Sequence, residues 1–241
     1  ILIVYGVLAQ ESIGAMYMAG IVPGILLTLV YMLTIYVVVK LNPSFAPAEQ
    51  RSTWSEKISA TIAIIPVGGL ILLVLGTIYM GVATVTESAS LGVVGALLLA
   101  AYYRRLNMSM LKEVLLNTVN TTSMVVLIIA AAFLLTTALS LLGVPRALAG
   151  AISELGWEPL YILALIIVFY MILGMFMDAY SMMVTTVPVI LPLISGLGFD
   201  LIWFGILMTL LVEMALISPP HGLNLFILHN IRKQVGVEGS E

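Results

Sequence analysis

From Ile58 to Tyr103 the chain carries one charged side chain, Glu87. A hydrocarbon layer about 30 Å thick is crossed by about 20 apolar residues in a helix, so this run predicts two membrane crossings with a turn between them. The polar atoms of Thr84, Thr86, Glu87 and Ser88 place that turn at Thr84 to Ser90. With 62% hydrophobic and 9% charged residues, the chain has too little polar surface to cover a soluble globule. The fold class is an all-α polytopic membrane protein.

The remaining runs extend the same path. Gly14 to Val39 is one crossing, followed by a polar loop from Lys40 to Lys57 that holds Pro43, Pro47, Arg51 and Glu56. Arg104, Arg105 and Lys112 mark the next loop, and Val114 to Leu142 crosses again. Gly143 to Glu158 carries Arg146, Glu154 and Glu158, with Pro145 to Leu155 a candidate interfacial helix. Pro159 to Leu197 reads as two short spans or as a re-entrant hairpin tipped near Met177, and Leu201 to Ile231 as a final broken span. Alternating sides places Lys40, Arg51, Lys57, Arg104, Arg105, Lys112, Arg232 and Lys233 on one face and Arg146 alone on the other. The positive-inside rule makes the first face cytoplasmic. Four segments follow: 1–57 with membrane helices and a cytoplasmic linker, 58–142 of scaffold type with the Thr84 to Ser90 turn, 143–158 as an outer loop or interfacial helix, and 159–241 with the hairpin and the broken helix.

Charge and composition exclude several functions. The net charge of −3 comes from residues grouped in short loops rather than on a basic face, which sets nucleic acid aside as a partner. Having no cysteine rules out disulfides and thiol catalysis, and two histidines, His221 and His229, make a poor metal site. The first residues, Ile1 to Ala9, are apolar but lack a basic region and a clean cleavage site, and the chain does not begin with Met. It reads as a piece of a longer protein.

Two polar interruptions between Tyr161 and Asn230 carry the functional signal. Lipid cannot hydrogen-bond a loosened backbone, so a break at membrane depth survives only where protein or a water-filled cavity surrounds it. Paired breaks point to a transport site. The first is Gly174-Met175-Phe176-Met177-Asp178-Ala179-Tyr180-Ser181. Asp178 falls near mid-membrane or at a hairpin tip, where an ionised carboxylate costs several kcal/mol unless it meets a cation or donors. Tyr180, Ser181, Thr185 and Thr186 add hydroxyl oxygens of the kind hard cations prefer. The competing reading is an Asp178 that simply caps a hairpin helix.

The second interruption is Ser218-Pro219-Pro220-His221-Gly222-Leu223-Asn224. Pro219 and Pro220 lack N–H groups and each disfavours helix for its predecessor, so the helix must break. Carbonyls near Ala215 and Leu216 should lose their partners and suit an alkali cation, while a helix restarting after Gly222 offers its positive end to an anion. The competing reading is a plain proline kink. Glu87 reads as a helix cap or a partner contact, and Gly92, Gly95 and Ala96 as sites of close helix approach.

Several of these segments resemble the large membrane subunit of tripartite ATP-independent periplasmic (TRAP) transporters, the DctM-like permeases. Tyr5-Gly6-Val7-Leu8-Ala9, Ser12-Ile13-Gly14-Ala15 and Ala19-Gly20-Ile21-Val22-Pro23-Gly24 resemble the family's mid-chain passage. Gly81 to Ser90 is similar to its G-x-x-T-P-T-E-A-A-A signature, with Val85 where proline is usual. Leu173 to Asp178, with Pro188 and Pro192, looks like its second hairpin. Ser218 to Phe226 looks like its T-P-P-V-G-L-N-L-F break, with Ser218 for Thr and His221 for Val.

The resemblance implies the second of two inverted repeats in an elevator-type, multi-pass transporter of the bacterial inner membrane. It implies Na⁺-driven import of an organic acid delivered by a periplasmic binding protein, with a small membrane subunit bracing the scaffold. It also implies that Gly174, Asp178, Ser218 and Pro220 surround one Na⁺, and that Glu87 and Arg146 face the binding protein. Ser181, Pro219, Gly222 and Asn224 complete the candidate ion and substrate site. The alternatives are a channel, a non-transporting scaffold, or an intramembrane enzyme. Against the enzyme, no Gly-x-Ser-x-Gly elbow or metal-histidine pair is present.

Overall fold

The computed structural model describes residues 1–43, 53–154 and 156–218, and beyond them 222, 225, 227–228 and 230–231. Its elements are α1 (Leu2–Ala9), α2 (Ile13–Ala19), α3 (Ile21–Leu41), α4 (Trp54–Tyr79), α5 (Val85–Tyr102), α6 (Met108–Leu141), α7 (Val144–Glu154), α8 (Pro159–Gly174), α9 (Ala179–Gly196) and α10 (Leu201–Ile217). No strand occurs among the described residues. Among the described residues, five stretches are long and apolar enough to cross a membrane: Ile13–Leu41, Trp54–Tyr79, Val85–Tyr102, Met108–Leu141 and Ala179–Gly196. The fold of the described residues is therefore all-helical, with several membrane-spanning helices. Arg51, Arg232 and Lys233, used above for sidedness, lie outside the described residues.

The helices divide into two compact units, one of residues 20–121 and one of residues 1–19 with 122–241. In the first, α4 and α5 pair closely because glycines on α5 leave room. A Cβ on Gly92 would meet Val74 Cγ2 at 2.9 Å, and one on Gly95 would meet Leu70 Cδ1 at 2.5 Å. Thr77 Oγ1 and the buried Ser88 Oγ lie 2.9 Å apart across the same seam. Small residues permit this approach where lipid supplies no hydrophobic drive, as expected for Gly92 and Gly95. The turn between α4 and α5 lies one step earlier than expected. Met80 caps α4, Gly81 turns the chain with φ +67°, and Thr84 already caps α5. Residues 85–90 are thus helix rather than turn, because the Thr84 and Glu87 side chains satisfy its first N–H groups.

In the other unit the apolar core is built from α1, α2, α8, α9 and α10. Tyr5, Met16, Tyr170, Met183, Phe204 and Met208 are fully buried there. Gly205 admits α1 and α2 to α10, since a Cβ on it would come within 2.7 Å of Tyr5 and Met16 atoms. The Tyr5 hydroxyl donates to the Leu201 carbonyl at 2.8 Å. Within the segment 1–57, the first nineteen residues pack with the hairpin. α7 packs on α9, with Ile152 against the core.

Candidate functional site

α8 and α9 form a hairpin whose first arm is short. At 1.5 Å per residue the 16-residue α8 is about 24 Å long, short of a full crossing. α8 closes at Gly174 with tightened bonds: Met175 N to Ile172 O at 3.1 Å, and Phe176 N and Met177 N to Leu173 O at 3.0 Å. Asp178 then adopts an extended conformation, φ −72° and ψ 160°, and caps α9. Its Oδ2 accepts the Tyr180 N–H at 3.0 Å and the Ser181 N–H at 3.1 Å. The capping reading of Asp178 is thereby realised, and the carboxylate sits at the positive end of α9. Two N–H groups leave roughly two of a carboxylate's four acceptor positions for a cation.

Ser218 ends α10. Its ψ of 136° is the extended value imposed on a residue preceding proline. Its N–H donates to Ala215 O at 3.1 Å and its hydroxyl donates to Met214 O at 2.7 Å. The expectation that the Ala215 carbonyl stands free is therefore corrected, since it is claimed by the very residue that ends the helix. Past the break, Gly222 has φ +39°, donates its N–H to Ser218 O at 3.0 Å and accepts from Leu225 N at 2.8 Å. Leu225, Ile227, Leu228, Asn230 and Ile231 are again helical. Pro219, Pro220, His221 and Asn224 lie outside the described residues.

The hairpin and α10 meet at one point near both interruptions. A Cβ on Gly174 would overlap the Ala215 Cβ and come within 3.6 Å of the Met182 sulfur. Gly174 thus brings the end of α8, the first turn of α9 and the last turn of α10 together. The hydroxyl set is narrower than the sequence suggested. Thr186 Oγ1 is buried and bonded to Met182 O at 2.6 Å and to the Tyr170 hydroxyl at 2.7 Å, so it is not offered to a cation. Thr185 Oγ1 donates to Ser181 O at 2.7 Å and stays exposed. Among the described residues no trio of His, Cys, Asp or Glu is placed to hold a metal ion. The oxygens on offer are hard donors, Asp178 carboxylate and Ser181 hydroxyl, which fit an alkali cation better than a transition metal.

Glu87 and Arg146 belong to other elements. Glu87 completes a capping box on α5: its Oε2 accepts from Thr84 N and Thr84 Oγ1, each at 2.8 Å, while its own N–H donates to Thr84 Oγ1 at 3.3 Å. It remains exposed, and Arg146 is exposed in the first turn of α7. The sequence does not point to Tyr170, nor to Ala215 as the packing partner of Gly174. A hydroxyl-bearing aromatic far inside the apolar run of α8, unlike Tyr161 in its first turn, is the available signal for Tyr170.

Comparison with known proteins identifies the family and several relatives. The model of the family described as "Tripartite ATP-independent periplasmic transporter, DctM component" matches residues 1–240. The chain is 33% identical over 228 residues to the C4-dicarboxylate TRAP transporter large permease protein DctM of Pseudomonas aeruginosa, covering 94% of this chain and 53% of that protein. It is 30% identical over 237 residues to the isethionate TRAP transporter permease protein DctMQ of Oleidesulfovibrio alaskensis, covering 95% and 36%. It is 28% identical over 236 residues to the sialic acid TRAP transporter large permease protein SiaM of Vibrio cholerae, covering 95% and 54%. The chain thus spans about half the length of the first and third of these relatives.

Proposed function

The chain belongs to the DctM component family of tripartite ATP-independent periplasmic transporters, and from that membership we propose that it forms the half of a Na⁺-coupled importer that holds one ion site. The observation that carries this is the packing of Gly174 on Ala215, which gathers a capped hairpin tip and a broken helix in one unit. Asp178, Ser181 and Ser218 supply oxygens to Na⁺ there, together with Gly174, Pro219 and Pro220. Gly222 and Asn224 flank the substrate. The cation binds first, because an anion alone meets the Asp178 carboxylate unfavourably.

The substrate is an organic acid. C4-dicarboxylate and sialic acid carry carboxylates and isethionate a sulfonate, so an oxyanion is common to the named relatives. A small membrane subunit braces the scaffold in the bacterial inner membrane, and a periplasmic binding protein delivers the substrate, with Glu87 and Arg146 each a candidate contact to it. The hairpin unit moves in an elevator-type cycle. The five stretches long and apolar enough to cross a membrane among the described residues, together with the family, support this reading over an enzyme.

Uptake of labelled carboxylates and sulfonates into proteoliposomes holding the complete transporter tests it, with the inward Na⁺ gradient and the binding protein each present or absent. Uptake that saturates and requires both is the expected result. Non-saturating flux independent of Na⁺ indicates a channel, and no flux across the panel indicates a scaffold.

A further inference from the structure

We propose that Tyr170 and Thr186 are positioning residues for the cation site, acting through Met182 on the first turns of α9. Thr186 Oγ1 has one proton, and the Met182 carbonyl 2.6 Å away can only accept, so that proton points to Met182. The Tyr170 hydroxyl, 2.7 Å from Thr186 Oγ1, is therefore the donor. The Met182 N–H in turn donates to the Asp178 carbonyl at 3.0 Å. One hydrogen-bonded series thus runs from the middle of α8 to the residue that caps α9, and the Met182 sulfur lies beside Gly174 at the contact with Ala215.

Two further observations make this series matter. Among the described residues, Tyr170 to Thr186 is the only side-chain hydrogen bond joining the two arms of the hairpin. α9 also contains Pro188 and Pro192, which remove two rungs of its backbone ladder beyond Thr186. The tip half of α9 is therefore weakly held by its distal half and takes its position from α8. Burial strengthens the tie: Tyr170 is fully buried and its ring lies 6.5 Å from that of Phe204 on α10. Neither residue touches the cation. They fix where Asp178 and Ser181 stand relative to Gly174 and Ala215.

This inference rests on the ion-coupled reading above, and Na⁺ alone serves as the probe because no substrate is needed. The complete transporter, purified with its small subunit, is titrated with NaCl against choline chloride at constant ionic strength while its thermal unfolding is followed. The parent protein should show saturable stabilisation by Na⁺. Tyr170→Phe and Thr186→Val should each raise the Na⁺ midpoint roughly threefold or more, and the double variant should be no worse than either single one. Thr186→Ser, which keeps the hydroxyl, should titrate like the parent. Tyr170→Phe and Thr186→Val proteins that melt lower at every Na⁺ concentration with an unmoved midpoint would show a purely structural tie and overturn the inference. A parent that Na⁺ does not stabilise would overturn the ion-coupled reading itself.

Discussion

Gly174 lies against Ala215 with no space for a side chain between them. The colliding atom would be the methyl of a helical residue, which cannot rotate away. Gly174→Ala must therefore move α8 or α10, at a cost of about 1–3 kcal/mol by analogy with overpacked cores. Purified Gly174→Ala protein should melt at a lower temperature and lose most Na⁺-dependent uptake. Adding Ala215→Gly removes the obstructing methyl and should restore a large part of both.

The capping box of α5 separates stability from partner contact. Thr84→Ala removes a cap and should lower stability by about 1 kcal/mol, read as a reduced melting temperature. Glu87→Gln keeps an acceptor for the Thr84 N–H and should leave melting close to that of the parent. If Glu87 faces the binding protein, its loss of charge should weaken uptake at limiting binding protein, with strong recovery when the binding protein is raised.

The α4 and α5 seam differs in kind from the one at Gly174. A Cβ on Gly95 meets the far end of the Leu70 side chain, which can turn aside. Gly95→Ala should thus be tolerated, with less than about 1 kcal/mol lost, whereas Gly95→Leu should separate the helices. The comparison is read by melting temperature and by whether Leu70→Ala rescues Gly95→Leu.

Much of this organisation is legible in the sequence because membrane helices announce themselves through length and apolarity. The crossings around α3, α4, α5 and α6 fall where uninterrupted apolar runs place them, and the breaks at Asp178 and Ser218 follow from polar and proline residues whose local effect is strong. Long-range packing is not written in such runs. Nothing local in Ile1 to Ala9 tells that Tyr5 inserts beside Phe204, because the residues around it are all apolar. The fate of Thr186 was hidden for a related reason: a hydroxyl on a helix reads as a free ligand until a partner such as Tyr170 is seen across the hairpin. The turn precedes Thr84 instead of running from Thr84 to Ser90, because these polar residues cap and begin α5 as well as interrupting the apolar run.

The identity of the ion site is tested most directly by comparing two capping aspartates. Asp178 caps α9 through Tyr180 and Ser181, and Asp200 caps α10 through Trp203 N at 2.7 Å. Asparagine caps helices about as well as aspartate, so Asp178→Asn and Asp200→Asn remove charge with little loss of structure. In proteoliposomes of the complete transporter, the Na⁺ dependence of substrate uptake should be severely weakened in Asp178→Asn and close to that of the parent in Asp200→Asn. Equal effects of the two substitutions would contradict the assignment of Asp178 to the cation.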